Sequence, residues 1–250
     1  MRRFHIITLI MGVILTSCAS IAPNPMAAGV QSTVAAAAGG YQFLRYVPKD
    51  YSEQNSTQYP VLIFLHGSGE RGNDISKVTV HGPPRLVREG NDFPFIIISP
   101  QLPEGALWET GKLDKTLKQA LSGLNVDKSR IYLTGISLGG MGTFSWAAAH
   151  PKLFAAIAPI CGMANPIDAN ILKDVPIWAF HGEKDDVVPF QGSEFIINSI
   201  NELGGTNAKI TLYPDANHDS WTITYNNPEL FSWLLSHSNK DGAAQLNRLR

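Results

Sequence analysis

The chain has 250 residues, 44% of them hydrophobic and 16% charged, with a formal net charge of −1. That composition is globular, with room for one large domain and its own core and too little length for two. With near-neutral charge and no dense basic run, the sequence excludes nucleic acid as a partner.

The first segment, MRRFHIITLIMGVILTSCAS, has Arg2 and Arg3, an apolar run from Ile6 to Leu15, and then small residues. This is the order of a secretory signal peptide, and the run is too short to cross about 30 Å of hydrocarbon. Its end, Leu15-Thr16-Ser17-Cys18, resembles the lipobox of bacterial lipoproteins. The resemblance implies a signal peptide over 1–17, cleavage before Cys18 and lipidation of that residue. The only membrane contact would then be a lipid anchor, holding the protein in the cell envelope, at the outer membrane or cell surface. The only other cysteine, Cys161, closes the apolar run FAAIAPIC and reads as a buried small hydrophobe. With Cys18 acylated, no disulfide framework is possible.

Residues 18–40 are rich in Ala, Pro, Ser and Gly without charge or periodicity, which predicts a flexible tether. The folded domain is expected over 41–238, followed by a polar tail over 239–250. Within the domain, strand-like and helix-like segments alternate. YQFLRYV (41–47) alternates like a half-exposed strand. VLIFLHG (61–67) and FPFIIISP (93–100) are continuous apolar runs, as buried parallel strands are. The helix of LDKTLKQALSGL carries Leu113, Leu117, Leu121 and Leu124 on one face. RIYLTG (130–135) reads as a strand and GMGTFSWAAAH (140–150) as an Ala-rich helix. LFAAIAPI and VPIWAFHG (175–182) are further strands. GSEFIINSINELGG is an amphipathic helix stopped by Gly204 and Gly205, AKITLYP (208–214) the last strand, and PELFSWLLSHS a final helix with Pro at its first turn. Such alternation predicts an α/β fold: a mostly parallel central sheet with helices on both faces. In such sheets ligands bind beyond the carboxyl ends of the strands, so functional residues should follow strands closely.

Gly135-Ile136-Ser137-Leu138-Gly139 fits G-x-S-x-G, and its context strengthens it, because a strand precedes it and a helix follows. A serine alcohol needs a base. Of seven histidines, His218 in YPDANHDSW lies just past the last core strand, whereas His66 and His181 each precede a Gly at a strand end and read as turn formers. His81 sits in a loop too early in the chain for the usual order. The base needs an acid to hold its tautomer, and HGEKDDVVP offers Glu183, Asp185 and Asp186. Stabilisation of an oxyanion calls for the backbone N–H of Leu138 and a second donor from the loop after VLIFL, either Gly67 or Ser68. Glu70 and Arg71 form an ion pair that shapes the pocket or are solvated loop charges. Trp108 stacks on a substrate ring or covers the core.

The pieces YVPKDY, YPVLIFLHGSGERG, SPQLPEG, VDKSRIYLTGISLGGMGTFSWA, FHGEKDDVVP and YPDANHDSW together resemble the α/β-hydrolases of the bacterial esterase and phospholipase/carboxylesterase-like group. That group includes feruloyl and acetyl xylan esterases and predicted peptidases. The resemblance covers about residues 45–236. It implies a Ser137–His218–Asp185 triad, with the acid four residues after the His of HGxxDxxVP and Asp186 as runner-up. One departure is Leu102, where relatives often have Cys. No cofactor is needed for this chemistry, and the sequence shows no metal-ligand spacing. The short connection GMANPIDANILKD leaves no room for a large cap domain, so the site is expected to be open. The reading is a serine carboxylesterase acting on short-acyl or polysaccharide-linked esters of acetyl or feruloyl type, with the ester, possibly polymer-linked, as its partner. A serine peptidase of the same fold and a non-catalytic ligand-binding lipoprotein are the alternatives.

Overall fold

The computed structural model describes residues 27–249. The expected signal peptide, Cys18 and the first part of the tether lie outside the described residues. Eight strands form one sheet: β1 (Gln31–Val34), β2 (Phe43–Tyr46), β3 (Tyr59–Leu65), β4 (Ile96–Pro100), β5 (Val126–Ile136), β6 (Ala156–Ile160), β7 (Ile177–Gly182) and β8 (Ala208–Tyr213). Their spatial order is β1-β2-β4-β3-β5-β6-β7-β8. The β1–β2 and β2–β4 pairs are antiparallel and all others are parallel. The helices are α1 (Gly82–Arg88), α2 (Thr110–Leu121), α3 (Leu138–Ala149), α4 (Ala169–Leu172), α5 (Gln191–Glu202), α6 (Trp221–Tyr225), α7 (Pro228–Leu235) and α8 (Gly242–Arg248).

The continuous apolar strands are buried on both faces, and their period of two divides them between two cores. Along β3, Val61, Ile63 and Leu65 enter one core, while Leu62 and Phe64 enter the other. In β4 and β7 the same split places Ile96, Ile98, Ile177 and Ala179 on the first face and Ile97, Trp178 and Phe180 on the second. Helices α2, α3 and α5 close the first core, and α7 closes the second with Leu230 and Leu234. The connection after β6 holds only a short 3₁₀ turn, Pro166–Asp168, and the four-residue α4, so no cap stands over that end of the sheet. Among the described residues no helix is long and apolar enough to cross a membrane.

Two boundaries differ from the sequence expectation. The tether region contains β1, and Gln119 at the end of α2 both donates to Ala35 O and accepts from Ala37 N–H, at 2.8 Å each. An edge strand needs only backbone pairing, so its side chains, none of them buried, left no hydrophobic pattern to read. The expected polar tail contains α8, whose Leu246 and the following Leu249 are 7% and 3% exposed and join the first core. A helix of seven residues carrying one core leucine is below the reach of periodicity. Helix α1 also escaped the sequence reading, because Gly-Pro-Pro reads as a turn although proline fits the first helical turn.

Candidate active site

Ser137 stands between β5 and α3 with φ 51° and ψ −117°, a conformation an L-residue adopts only under constraint. The constraint is the close approach of α3 to the sheet. A Cβ on Gly139 would lie 1.9 Å from Leu65 O, and one on Gly135 would lie 2.3 Å from Gly139 O. Only glycine permits that approach, and it lifts the Ser137 hydroxyl clear of the strand ends. The Ser137 N–H is held from behind by Ile160 O at 3.0 Å and Cys161 Sγ at 3.3 Å. Cys161 is fully buried, itself at φ 40°, and burial pushes its thiol pKa up. It therefore backs the serine as a neutral thiol.

Asp185 follows β7 by three residues and His218 follows β8 by five. The structure brings both to Ser137. His218 Nε2 lies 3.0 Å from Ser137 Oγ, and His218 Nδ1 lies 2.7 Å from Asp185 Oδ2. A carboxylate only accepts, so Nδ1–H donates to it and Nε2 is left as the acceptor for the serine hydroxyl. Asp185 Oδ1 takes the N–H groups of Val187 and Val188, both at 2.9 Å. Burial pushes the Asp185 carboxyl up. The hydrogen bonds from His218, Val188 and Val187 outweigh it and hold the group below the usual carboxylate range. Asp186, the runner-up in the sequence, is exposed.

His181 is a site residue that the sequence reading passed over as a turn former. Its Nε2 faces only acceptors, Asp185 Oδ2 at 3.0 Å and Val188 O at 2.9 Å, so it carries the proton. Its Nδ1 lies 2.8 Å from Ser193 Oγ. Burial lowers the His181 pKa, and the single Ser193 hydroxyl proton lies between His181 Nδ1 and Gly162 O. Asp185 Oδ2 thus accepts from two imidazoles, one buried and one open to the site. The signal was present in HGEKD, where the histidine precedes the acid by four residues.

At the end of β3, the loop 67–70 runs beside the serine. The N–H groups of Leu138 and Ser68 have no acceptor among the described residues. The Gly67 N–H, the other expected donor, is committed to Glu70 Oε2 at 3.0 Å, which leaves Ser68 as the available partner of Leu138. Beneath the loop, His66 accepts the Leu102 N–H at Nε2 (3.0 Å) and donates from Nδ1 to Gly67 O (2.6 Å). Burial lowers the His66 pKa to about 4, so the ring is neutral around pH 7. Leu102 contributes that backbone bond and a fully buried side chain in the core.

Glu70 and Arg71 form no ion pair among the described residues. Arg71 instead donates to Ser68 O (3.0 Å) and Ala106 O (3.4 Å), bracing the loop. Trp108 packs edge-on to Tyr41 and His66 and donates to His66 O at 3.3 Å, with its ring against Gly142. It is half-buried and packs against the first core. The Cys161 sulfur, an Asp185 oxygen and a His218 nitrogen lie within 4.8 Å of one another. With a thiol disfavoured from ionising and a carboxylate already bound by four N–H groups, this cluster is the back of the hydrogen-bonded array.

A hydroxyl, an imidazole and a carboxylate in line, beside two free N–H groups, can activate an alcohol and hold a negative oxygen. The comparisons with known proteins agree with such chemistry. The dienelactone hydrolase family model matches residues 105–241. Over 151 residues, 57% of this chain, the sequence is 28% identical to a bifunctional acetylxylan esterase/xylanase of Neocallimastix patriciarum, covering 22% of that protein. Over 212 residues, 82% of this chain and 77% of the relative, it is 24% identical to a protein of Aspergillus niger named probable feruloyl esterase C. The crystal structure of a thermostable esterase superposes with TM-score 0.68 and 31% identity over 84% of this chain and 63% of that one. The matches span 20% to 37% of the length of the first curated relatives. Since the family model takes in more than half of the residues, and with them Ser137, Asp185 and His218, the chain belongs to the dienelactone hydrolase family and has the α/β-hydrolase fold of its esterase relatives.

Proposed function

We propose that the protein is a serine carboxylic ester hydrolase with Ser137 as nucleophile, His218 as general base and acid, and Asp185 as the group that orients it. The observation that carries this reading is the unbroken line from Ser137 Oγ through His218 to Asp185 Oδ2, at 3.0 and 2.7 Å. His218 Nε2 removes the serine proton as Oγ attacks the ester carbon. The carbonyl oxygen becomes negative between the N–H groups of Leu138 and Ser68, each contributing about 3 kcal/mol to the transition state. The imidazolium, steadied by Asp185, protonates the departing alcohol. Water then repeats the sequence on the acyl-enzyme and releases the acid.

Short-acyl or polysaccharide-linked esters, of acetyl or feruloyl type, suit the site best. The reasons are the uncapped connection after β6 and the similarity to proteins named as acetylxylan and feruloyl esterases. The lipobox-like LTSC supports anchoring of the mature protein in the cell envelope through acylated Cys18, which fractionation of a Cys18→Ala strain tests.

The test of the central reading is hydrolysis of p-nitrophenyl acetate and butyrate by the protein and by Ser137→Ala. Turnover that disappears in the variant is expected; equal rates in both proteins would overturn the reading. A strong preference for long-chain over short-chain esters would overturn the substrate assignment alone.

A further inference from the structure

Three residues outside the triad close a ring around the site. Glu70 ends the loop that carries Ser68, His81 is the residue before α1, and Trp221 opens α6 just after His218. A Cβ on Gly67 would lie 3.5 Å from Ser137 Cβ and 3.3 Å from Glu70 Oε2, so Gly67 alone separates the carboxylate from the nucleophile. On the other side, the Trp221 ring stands edge-on to His218, with centroids 5.2 Å apart, and equally close to His81.

The hydrogen bonds around Glu70 are incomplete. Oε2 accepts from Gly67 N–H, but Oε1 receives no hydrogen bond among the described residues. Its nearest basic partner is His81 Nε2, 3.7 Å away, beyond hydrogen-bond reach. The Glu70 side chain is 10% exposed, and Oε1 is the oxygen left open to an incoming donor. The His81 tautomer follows from its other neighbour. Trp221 Nε1–H donates to His81 Nδ1 at 3.2 Å, so the neutral ring carries its proton on Nε2, facing Glu70. A donor and an acceptor thus stand side by side, too far apart to satisfy each other. The His81 side chain is 28% exposed, so the gap is open to solvent.

We infer that Glu70 and His81 form a subsite for a hydroxyl group on the alcohol portion of the ester, which makes the substrate's alcohol a polyhydroxylated, sugar-like one. A hydroxyl both accepts and donates, so one oxygen takes the His81 N–H and gives its own proton to Glu70 Oε1. An aliphatic group does neither, and an anionic one is repelled by the carboxylate. The alcohol side is indicated because the departing oxygen must reach His218 Nε2 for its proton, and Trp221 ties this wall to that imidazole. This inference rests on the serine-esterase reading of the site.

The test compares kcat/KM for a monoacetate of methyl β-xyloside with that for cyclohexyl acetate, a ring of the same size without free hydroxyls. The full chain is measured beside His81→Leu and Glu70→Gln, with melting temperatures to confirm folding. A hydrogen bond to a charged group carries roughly a 10- to 100-fold effect. The wild type is expected to prefer the sugar acetate, and the ratio of the two constants to fall about 10-fold or more in each variant. No preference in the wild type, or a ratio unchanged in both variants, overturns the inference while leaving the esterase reading intact if p-nitrophenyl acetate is still turned over. Failure to hydrolyse any of the three esters overturns the esterase reading and this inference with it.

Discussion

Asp185 accepts four hydrogen bonds and donates none, so Asp185→Asn is a sharp perturbation of the site. Oδ1 takes Val187 and Val188 N–H, and Oδ2 takes His218 and His181 N–H. An asparagine has one oxygen for these four donors. If the oxygen stays with the loop, the amide N–H groups face two imidazole N–H groups. His218 must then move its proton from Nδ1 to Nε2, where it faces Ser137 and cannot accept the serine proton. The wrong tautomer costs about 10⁴ in kcat, or about 5.5 kcal/mol. If the amide turns over, two backbone N–H groups lose their acceptor at about 1–3 kcal/mol each, so stability falls instead by about 2–6 kcal/mol. Steady-state kinetics on p-nitrophenyl acetate, with a thermal melt, separate these outcomes. The expected result is a kcat lowered by about three to four orders of magnitude with KM within a few-fold. Asp186→Asn serves as the control and stays within about twofold of wild type, because that side chain is exposed. A variant of Asp185 that kept more than a tenth of wild-type kcat would refute this account of the carboxylate.

Three further outcomes follow from the structure. Burial lowers the His66 pKa to about 4, below its unfolded value of roughly 6.5, so the unfolded chain takes up a proton that the folded chain refuses. Stability therefore drops as pH falls from about 6.5 to 4, by up to about 3 kcal/mol from this group, and urea midpoints should show a shallower drop in His66→Gln. Gly139→Ala forces a Cβ to 1.9 Å from Leu65 O and should lower Tm by roughly 5–10 °C, whereas Gly69→Ala meets nothing within 4 Å and should melt near wild type. Leu246→Ala removes a side chain that is 7% exposed from the first core and should cost about 2–4 kcal/mol in urea unfolding, which a freely solvated tail would not show.

The sheet was legible because its strands are apolar on both faces, as VLIFL and IIISP display directly. The meeting of Ser137 and His218 was legible because the proposed chemistry requires them at strand ends in a fixed order, and their spacing from RIYLTG and AKITLYP satisfied that. The elements that escaped notice lack these signals. Strand β1 is held by backbone bonds with no side chain buried, and α8 contributes one core leucine, with Leu249 just beyond it. The polar array was harder still, since its partners are far apart in sequence. Glu70 lies 11 residues before His81 and about 150 before Trp221, and only the folded loops bring them together. Adjacency could not decide one case. Glu70 and Arg71 are neighbours in the chain, yet their side chains diverge, one to the Gly67 N–H and the other to the carbonyls of Ser68 and Ala106.

The most direct test of the central proposal is to trap the acyl-enzyme. The protein is mixed with p-nitrophenyl butyrate, quenched in acid during the first turnover and digested, and the peptides are analysed by mass spectrometry. A burst of p-nitrophenol with a butyryl group on Ser137, and neither in Ser137→Ala, is the predicted result. Turnover with no adduct on Ser137, at a rate unchanged in Ser137→Ala, would contradict it.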